Sequence, residues 1–567
     1  MHETCLRNLL SFRWPPRLAI AICFLAGTLL PAAFGLVVGI PEPQVHDEFS
    51  FLLAGDTFAH GRLTNPTPES PEFFEAEHIL VVPSYMSKYP PGQGLVLAAG
   101  QVLCGHPIWG VWLSCGCFAA SLCWMLQAWT SPRWAIVTSL FAIIGFGISS
   151  YWAQSYWGGM PAACGGALLF GGMRRTLRHA RISSSLLMAA GVVVLAATRP
   201  FEGVLACLPA GLLLCRWLVA DTTVSLSQKL IRWLVPFTAL VAAGGWANGT
   251  YNRAVTGDAL RLPYTIHLRQ YFHQGVFKFS EQYTPEREPH ERLARFYAEQ
   301  RFTPVRRVGR LMFKVLGCVS EALQRLLSSV LVDMTFNAES GKSSLLWIGI
   351  LLVVGLRSRW GWFCAGTLLF VILGQSFVEY WHAHYAAPVV PLVLAVMAEA
   401  IRRVCLSIPR YRGTALVTPA ALAILAGCLL SANYGTVALV GLFKLLRHDN
   451  ATTTVARPET NRVASRQDVI QRLGYQRGVH LVFVRYEKSY SLEREWVYNE
   501  ADLATARVLF VHDFDDAKNR ELMARYPARS VWLCTVSRKL CELRPYPGPN
   551  PGQAVEGGVP LKTEGLR

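Results

Sequence analysis

The sequence predicts an all-α polytopic membrane protein of about eleven transmembrane helices, with juxtamembrane helices on its outer face and a small C-terminal α/β domain. Of the 567 residues, 52% are hydrophobic and only 16% are charged, a balance that soluble chains of this length rarely have. Long apolar runs recur from residue 18, and the chain becomes polar from about residue 443.

The formal charge of +17 comes from Lys and Arg residues in short clusters between the apolar runs. Such clusters are typical of membrane topology, so the charge does not indicate a nucleic-acid partner. Four such clusters lie at 174–181, 216–232, 357–359 and 402–412, each after a predicted span. They place the N-terminus in the cytoplasm and residues 41–90, 251–342 and 443 onward outside; in a bacterium, the membrane would be the inner one.

The first apolar segment, residues 18–40, follows a basic N-terminus (1–17) and is long enough to cross about 30 Å of hydrocarbon. We predict a signal anchor at the start of a transmembrane domain that covers residues 18–442. The further candidate spans are 95–128 (interrupted at 105–107), 134–150, 157–172, 184–197, 203–219, 232–250, 343–356, 361–378, 385–401 and 415–442. Segment 311–335 has charges at spacings that favour an amphipathic interfacial helix over a span.

Residues 443–545 have the pattern of a small α/β domain on the outer face. Alternating and apolar runs predict strands at 480–486, 507–513 and 530–536 and a helix at 516–526. No glycine-rich phosphate loop accompanies them, so we interpret this domain as a cap or an acceptor-binding module. The tail, residues 546–567, is rich in Pro and Gly and is predicted to be disordered.

The unusual polar residues fall in the predicted outer loops, whereas the spans hold almost no charge. A solute carrier generally places ionisable groups near the middle of the bilayer, so this distribution argues against a transporter. It favours a site at the membrane surface, where a substrate presents a phosphate headgroup while its lipid tail stays in the bilayer.

Carboxylate and imidazole side chains in these loops are suitable ligands for a divalent metal ion. The candidates are Glu75, His78 and His267. No ligand spacing demands a metal, so the sequence leaves the need for one open.

Four short motifs occur in a definite order and on one predicted side of the membrane. They are His46-Asp47-Glu48 after the first span, Tyr89-Pro90-Pro91-Gly92-Gln93-Gly94, Thr198-Arg199-Pro200, and Tyr385-Ala-Ala-Pro388. Over roughly residues 40–440 the chain thereby resembles the membrane glycosyltransferases of fold type C. These include protein O-mannosyltransferases, lipid A aminoarabinose transferases and bacterial transferases that use polyprenyl-phosphate sugars.

The resemblance implies transfer of a sugar from a polyprenyl-phosphate carrier to an acceptor hydroxyl on the outer face, with inversion at the anomeric carbon. Asp47, with Glu48 as the second choice, would be the carboxylate that takes the acceptor proton. Lys88, and next Arg261 and Arg269, would bind the donor phosphate. The partners of the protein would be the lipid donor and a lipid, glycan or protein acceptor.

Contacts with the sugar or the acceptor are assigned to polar and aromatic side chains of the outer loops. These are Glu75, Tyr89, His382, His384 and Tyr385. The two histidines could equally belong to the aromatic belt at the membrane interface.

Each of these interpretations has an alternative. Asp47 and Glu48 also suit the first turn of a helix, and Lys88 could extend to the lipid headgroups. At the level of function, the alternatives are a transporter or flippase of lipid-linked glycans and a non-catalytic assembly protein for envelope glycans. The second of these predicts that Asp47 tolerates replacement by Asn.

Overall fold

The computed structural model describes residues 15–299, 358–407 and 465–547, except 149, 278–279, 281–283, 379–381, 489, 493 and 538–540. The predictions for residues 311–335, 343–356 and 415–442, and for nearly all of the tail, lie outside the described residues.

The described chain is mostly helical. The helices in chain order are α1 (Pro16–Val38), α2 (His46–Ala59), α3 (Pro91–Cys104), α4 (Ile108–Trp129), α5 (Pro132–Ala142), α6 (Met160–Thr176), α7 (Ile182–Thr198), α8 (Pro200–Ala220), α9 (Leu226–Thr256), α10 (Pro263–Tyr271), α11 (Glu291–Glu299), α12 (Arg359–Gln375), α13 (Val390–Ser407), α14 (Arg466–Gly474) and α15 (Asp516–Arg525). A 3-10 segment, Ala383–Val389, leads into α13.

Four of these helices, α1, α4, α8 and α9, are long and apolar enough to cross a membrane. Shorter apolar helices cover 132–147, 182–198 and 384–400. The chain is therefore an integral membrane protein, as predicted, and the number of about eleven spans stays a prediction.

Helices α1 and α4 pack antiparallel and define the two ends of the bundle. Gln127 near the end of α4 donates a hydrogen bond of 3.0 Å to the carbonyl of Pro16 at the start of α1. Gly35 near the end of α1 lies against Trp112 near the start of α4. We call these the Pro16 end and the Asp47 end.

Glycines allow very close helix packing inside the bundle. A Cβ on Gly110 of α4 would lie 1.9 Å from the carbonyl oxygen of Val96 on α3, and one on Gly166 of α6 would lie 1.9 Å from that of Pro388. The interruption predicted between residues 95 and 128 is present, because α3 ends at Gly105 in the left-handed conformation (φ +77°).

A four-stranded sheet forms the C-terminal region with strand order β4-β3-β5-β6. Before it, a two-stranded ladder pairs β1 (Ile79–Leu80) with β2 (Met86–Ser87). The sheet strands are β3 (Val479–Tyr486), β4 (Val508–His512), β5 (Arg529–Val536) and β6 (Cys541–Pro545). Strand β3 pairs in parallel with β4 and β5, and β6 pairs antiparallel with β5.

One face of this sheet packs against α2 and the loop between α2 and α3. Leu53 of α2 and Phe73, Phe74 and Tyr85 of the loop share one apolar cluster with the sheet residues Leu481, Phe483 and Leu509. Burial of this surface fixes the C-terminal region over the Asp47 end of the bundle.

Candidate functional site

Glu48 links the start of α2 to a neighbouring loop. Its Oε2 accepts hydrogen bonds from the backbone N–H groups of Gln44 (2.6 Å) and Val45 (3.1 Å), and its Oε1 accepts one from that of Tyr156 (3.0 Å). The residue is only 2% exposed. Burial raises the pKa of its carboxyl, whereas the three N–H donors act to lower it. Both oxygens therefore hold backbone in place.

Asp47, one residue earlier, is half-buried and presents its carboxylate differently. Its Oδ1 accepts a hydrogen bond from the Tyr89 hydroxyl. Burial raises the pKa of Tyr89 well above its ordinary value, so this hydroxyl stays protonated and donates. The Tyr89 ring stacks on Phe51 of α2 at 4.5 Å, which fixes its direction. The two motifs that suggested a site in the sequence therefore meet directly.

Lys88 lies in the interior of the same site and is 4% exposed. Its Nζ donates to Nδ1 of His78 over 2.8 Å and lies 5.1 Å and 5.0 Å from the ring centres of Tyr89 and Tyr264. Burial lowers the pKa of the Lys88 ammonium to about 7, and the charge of Asp47 acts in the opposite direction. This position differs from that of a lysine reaching lipid headgroups.

His78 owes its position to an unusual backbone conformation. Its φ of +66° is rare for a residue with a side chain. The backbone carbonyl of His78 accepts hydrogen bonds from the Ser50 hydroxyl (2.7 Å) and from the backbone N–H of Lys88 (3.2 Å). These bonds stabilise the turn that brings the His78 ring to the Lys88 ammonium.

The loop before α13 supplies the other side of the site. The buried His384 contacts the Tyr151 hydroxyl with Nδ1 (3.2 Å) and donates its N–H to the same oxygen (3.2 Å). The rings of His382 and His384 stack at 5.5 Å, and Trp157 lies 4.8 Å from His384. The predicted pair is thus part of an aromatic wall.

Arg199, between α7 and α8, is a further cation in this region. Its guanidinium carbon lies 4.6 Å from the ring centre of Tyr385. The Arg199 guanidinium and the Asp47 carboxylate both act electrostatically on this tyrosine. The sequence signal for Arg199 is its place in the Thr198-Arg199-Pro200 motif, which by itself indicates no chemical role for this residue.

Arg261 and Arg269 both have exposed side chains. Arg269 is on α10, where His267, two residues earlier, is fully buried. Because residues two apart on a helix face different directions, α10 directs His267 inward and Arg269 toward the surface.

The residues considered for a metal each have other partners. Glu75 accepts from Arg287 (2.8 Å), and His267 Nε2 contacts the Tyr297 hydroxyl (3.0 Å), while His78 bonds Lys88. Within the described ranges, no group of three or more His, Cys, Asp or Glu residues is arranged to hold a metal ion.

The C-terminal region contacts the residue next to Asp47. Tyr498 places its hydroxyl 3.1 Å from Nδ1 of His46 and 3.4 Å from the carbonyl of Glu77, and its ring stacks on Phe49 at 4.2 Å. The carboxyl of Glu77, which is 0% exposed, lies 3.8 Å from the same imidazole, and burial raises its pKa well above the ordinary value. The sequence offered no sign of this contact, because more than 400 residues separate its two sides.

Comparison with protein-family models and with curated proteins gives no match. Among solved structures, the chain is similar to ArnT from Cupriavidus metallidurans in the apo state, with 14% identity over 91% of this chain and 92% of that chain and a TM-score of 0.50. The same protein bound to undecaprenyl phosphate gives 13% identity, the same coverage and a TM-score of 0.49. The oligosaccharyltransferase AglB from Archaeoglobus fulgidus, in complex with an inhibitory peptide and a dolichol-phosphate, has 10% identity over 92% of this chain and 69% of that chain, with a TM-score of 0.38.

At this level of identity, the similarity to ArnT concerns the fold. It extends over nearly the whole of both chains, and so includes both the helices and the C-terminal region. The predicted resemblance to membrane glycosyltransferases of fold type C is thereby confirmed for the fold.

Proposed function

We propose that this protein transfers a sugar from a polyprenyl-phosphate carrier to a hydroxyl group of an acceptor at the outer face of the membrane. The observation that carries the proposal is the meeting of Asp47 with Tyr89 and the buried Lys88 at one end of an apolar helix bundle. A carboxylate and an ammonium at a membrane surface suit a hydroxyl nucleophile and a lipid phosphate.

Asp47 is the general base in this mechanism. The acceptor oxygen attacks the anomeric carbon, its proton passes to Asp47, and the bond between that carbon and the phosphate oxygen breaks. Attack opposite the leaving phosphate inverts the configuration. The Tyr89 hydroxyl holds one oxygen of Asp47 in position, and Glu48 positions the helix start because both of its oxygens accept backbone N–H bonds.

The charge of the leaving phosphate accounts for the need for cationic side chains in the site. The donor is a phosphodiester with one negative charge, and the released polyprenyl phosphate is a monoester that carries a second one. Lys88 and Arg199 are the groups that we assign to this developing charge. Arg261 and Arg269 remain candidates for the phosphate from the sequence, and their exposed positions suit first contact with the headgroup. Glu75 lies in an ion pair with Arg287, and we assign it a positioning role.

The test is sugar transfer by the purified protein in nanodiscs, with a panel of radiolabelled polyprenyl-phosphate sugars. We expect one donor to be consumed and Asp47→Asn to lower turnover about 100-fold or more. Glu42→Gln is the matched control, because Glu42 is exposed, lies five residues earlier and should leave turnover unchanged. Normal turnover in Asp47→Asn would contradict the assignment of the base. No consumption of any donor, with flipping of a labelled lipid, would favour a flippase.

A further inference from the structure

A cavity of about 420 Å³ lies at the Pro16 end of the bundle, away from Asp47. It is bounded by the turn between α4 and α5, the end of α6, the start of α12 and the last turns of α13. Gln127, whose side chain bonds the Pro16 carbonyl, is one of its lining residues and fixes its place in the bundle. The proposed transfer reaction does not use this cavity.

The charged residues of the cavity are mostly cations. Arg178, Arg402 and Arg403 line it together with one acid, Glu399. Glu399 accepts from Arg402 through both oxygens (2.8 Å each) and from Arg403 (2.7 Å), so one carboxylate is shared by two guanidinium groups. Arg178 adds a further exposed guanidinium. The cavity therefore carries a net positive charge.

Two helices direct their N-termini toward this space. Ser131 precedes α5 and Ser358 precedes α12, and both line the cavity. The start of a helix presents unpaired N–H groups and the positive end of its dipole, which favours an anion.

The Trp360 ring is held in the cavity wall by Arg174, whose guanidinium carbon lies 3.7 Å from the ring centre.

An apolar wall completes the cavity. Trp129, Cys364, Ala395 and Val396 line it beside the cations. A free phosphate ion gains nothing from such a wall, whereas the glycerol backbone and first methylenes of a phospholipid would be buried against it. Tryptophan beside arginine is also typical of the depth at which headgroups lie.

We propose that this cavity binds the phosphodiester headgroup of an anionic phospholipid. The phosphate lies between Arg178, Arg402 and the two helix N-termini. The lipid thereby ties α4, α6, α12 and α13 together at the end of the bundle opposite the transfer site.

The experiment measures the binding of short-chain lipids to the delipidated full-length protein in detergent by the shift of its thermal unfolding midpoint. Dihexanoyl phosphatidylglycerol is compared with dihexanoyl phosphatidylcholine and with inorganic phosphate. We expect saturable stabilisation by phosphatidylglycerol alone. Equal stabilisation by inorganic phosphate would overturn the lipid in favour of a free anion, and equal stabilisation by phosphatidylcholine would overturn recognition of negative charge.

Variants assign the binding to this cavity. Arg178→Gln and Arg402→Gln each remove one of the cations that line the cavity. We expect each to weaken phosphatidylglycerol binding about tenfold, the loss of one charge-assisted hydrogen bond. Arg216→Gln is the control, since Arg216 is exposed near the end of α8 and does not line the cavity. If both variants of the lining residues bind phosphatidylglycerol like the wild type, the proposed site is wrong.

Discussion

The polar residues at the Asp47 end and the helix bundle beneath them are held together by different forces. Around Asp47, buried polar side chains bond one another, within one loop as Lys88 does with His78, and between distant segments as His46 does with Tyr498. In the bundle, glycines bring backbones into contact, as Gly166 does at Pro388. The Asp47 end should therefore respond to changes of charge and pH, and the bundle to changes of volume.

The largest effect that distinguishes the two regions is the pH dependence of Lys88. Burial lowers its pKa to about 7, so above that pH the free protein loses the ammonium that we assign to the donor phosphate. We predict that kcat/KM falls about tenfold per pH unit above 7. In Lys88→Arg this limb should disappear, because guanidinium stays charged. A pH profile that is the same in both proteins would show that another group titrates.

The same lowered pKa has a consequence for stability. Between pH 7 and the ordinary lysine value near 10.5, the unfolded chain binds the proton that the folded chain has released. The contribution of Lys88 to the free energy of unfolding therefore rises with pH across this window, and its penalty is fully present below it. Activity and stability should thus change in opposite directions above pH 7.

A change of charge without volume should affect the Asp47 end strongly. Glu48→Gln preserves the size of the side chain, but the glutamine amide has only one oxygen that accepts hydrogen bonds. It therefore cannot bind all three backbone N–H groups that the two carboxylate oxygens of Glu48 bind. We expect a loss of about 1.5–3 kcal/mol in the free energy of unfolding, measured by thermal or chemical denaturation. The exposed Glu42→Gln should have little effect. Equal stability of the two variants would refute the positioning role of Glu48.

A change of volume without charge should affect the bundle. In Gly166→Ala the new methyl group would lie 1.9 Å from the Pro388 carbonyl, so α6 and the loop bearing His384 have to separate. We expect a destabilisation of about 1–3 kcal/mol, seen as a lower unfolding midpoint. Gly211→Ala in α8 is the control, because nothing lies within 4 Å of its added Cβ. Tolerance of both substitutions would mean that the packing is looser than described.

The smallest effect is expected where the C-terminal region meets the helix that bears Asp47. Tyr498→Phe keeps the stacking on Phe49 but removes the hydroxyl next to His46. We expect a loss of about 0.5–1.5 kcal/mol in stability, measured by thermal unfolding. Tyr475→Phe, at a residue that is 91% exposed, serves as the control. A Tyr498→Phe variant as stable as this control would show that the hydroxyl contributes nothing.

Local patterns made much of the fold predictable. Parallel strands buried on both faces are continuous apolar runs, which are easily recognised in a sequence. The strands predicted at 480–486 and 530–536 therefore differ from Val479–Tyr486 and Arg529–Val536 by only one residue at the start. Strand β6 (Cys541–Pro545) was missed, since this short edge strand has a mixed composition with no apolar run. The α1 helix and the break at Gly105 also followed from local sequence.

The site was predictable only in part. Asp47 was found because it lies in a short motif after a span, and Lys88 because it directly precedes another such motif; the structure brings both into one region. The bonds of Glu48 to the N–H groups of Gln44 and Val45 agree with the alternative that it belongs to the first turn of a helix. Its bond to the backbone of Tyr156, 108 residues away, could not be predicted. The approach of Tyr498 to His46 likewise depends on folding of the whole chain and leaves no periodic signal.

The central claim is that Asp47 acts on the acceptor proton while Lys88 binds the donor phosphate. The most direct measurement compares the donor Kd and the single-turnover rate in Asp47→Asn and Lys88→Ala, using the donor that the wild type consumes. We predict that Asp47→Asn keeps its Kd within about threefold but loses turnover, and that Lys88→Ala weakens donor binding about tenfold or more. This division of roles would be contradicted if both variants lost donor binding and turnover alike, or if neither variant lost either property.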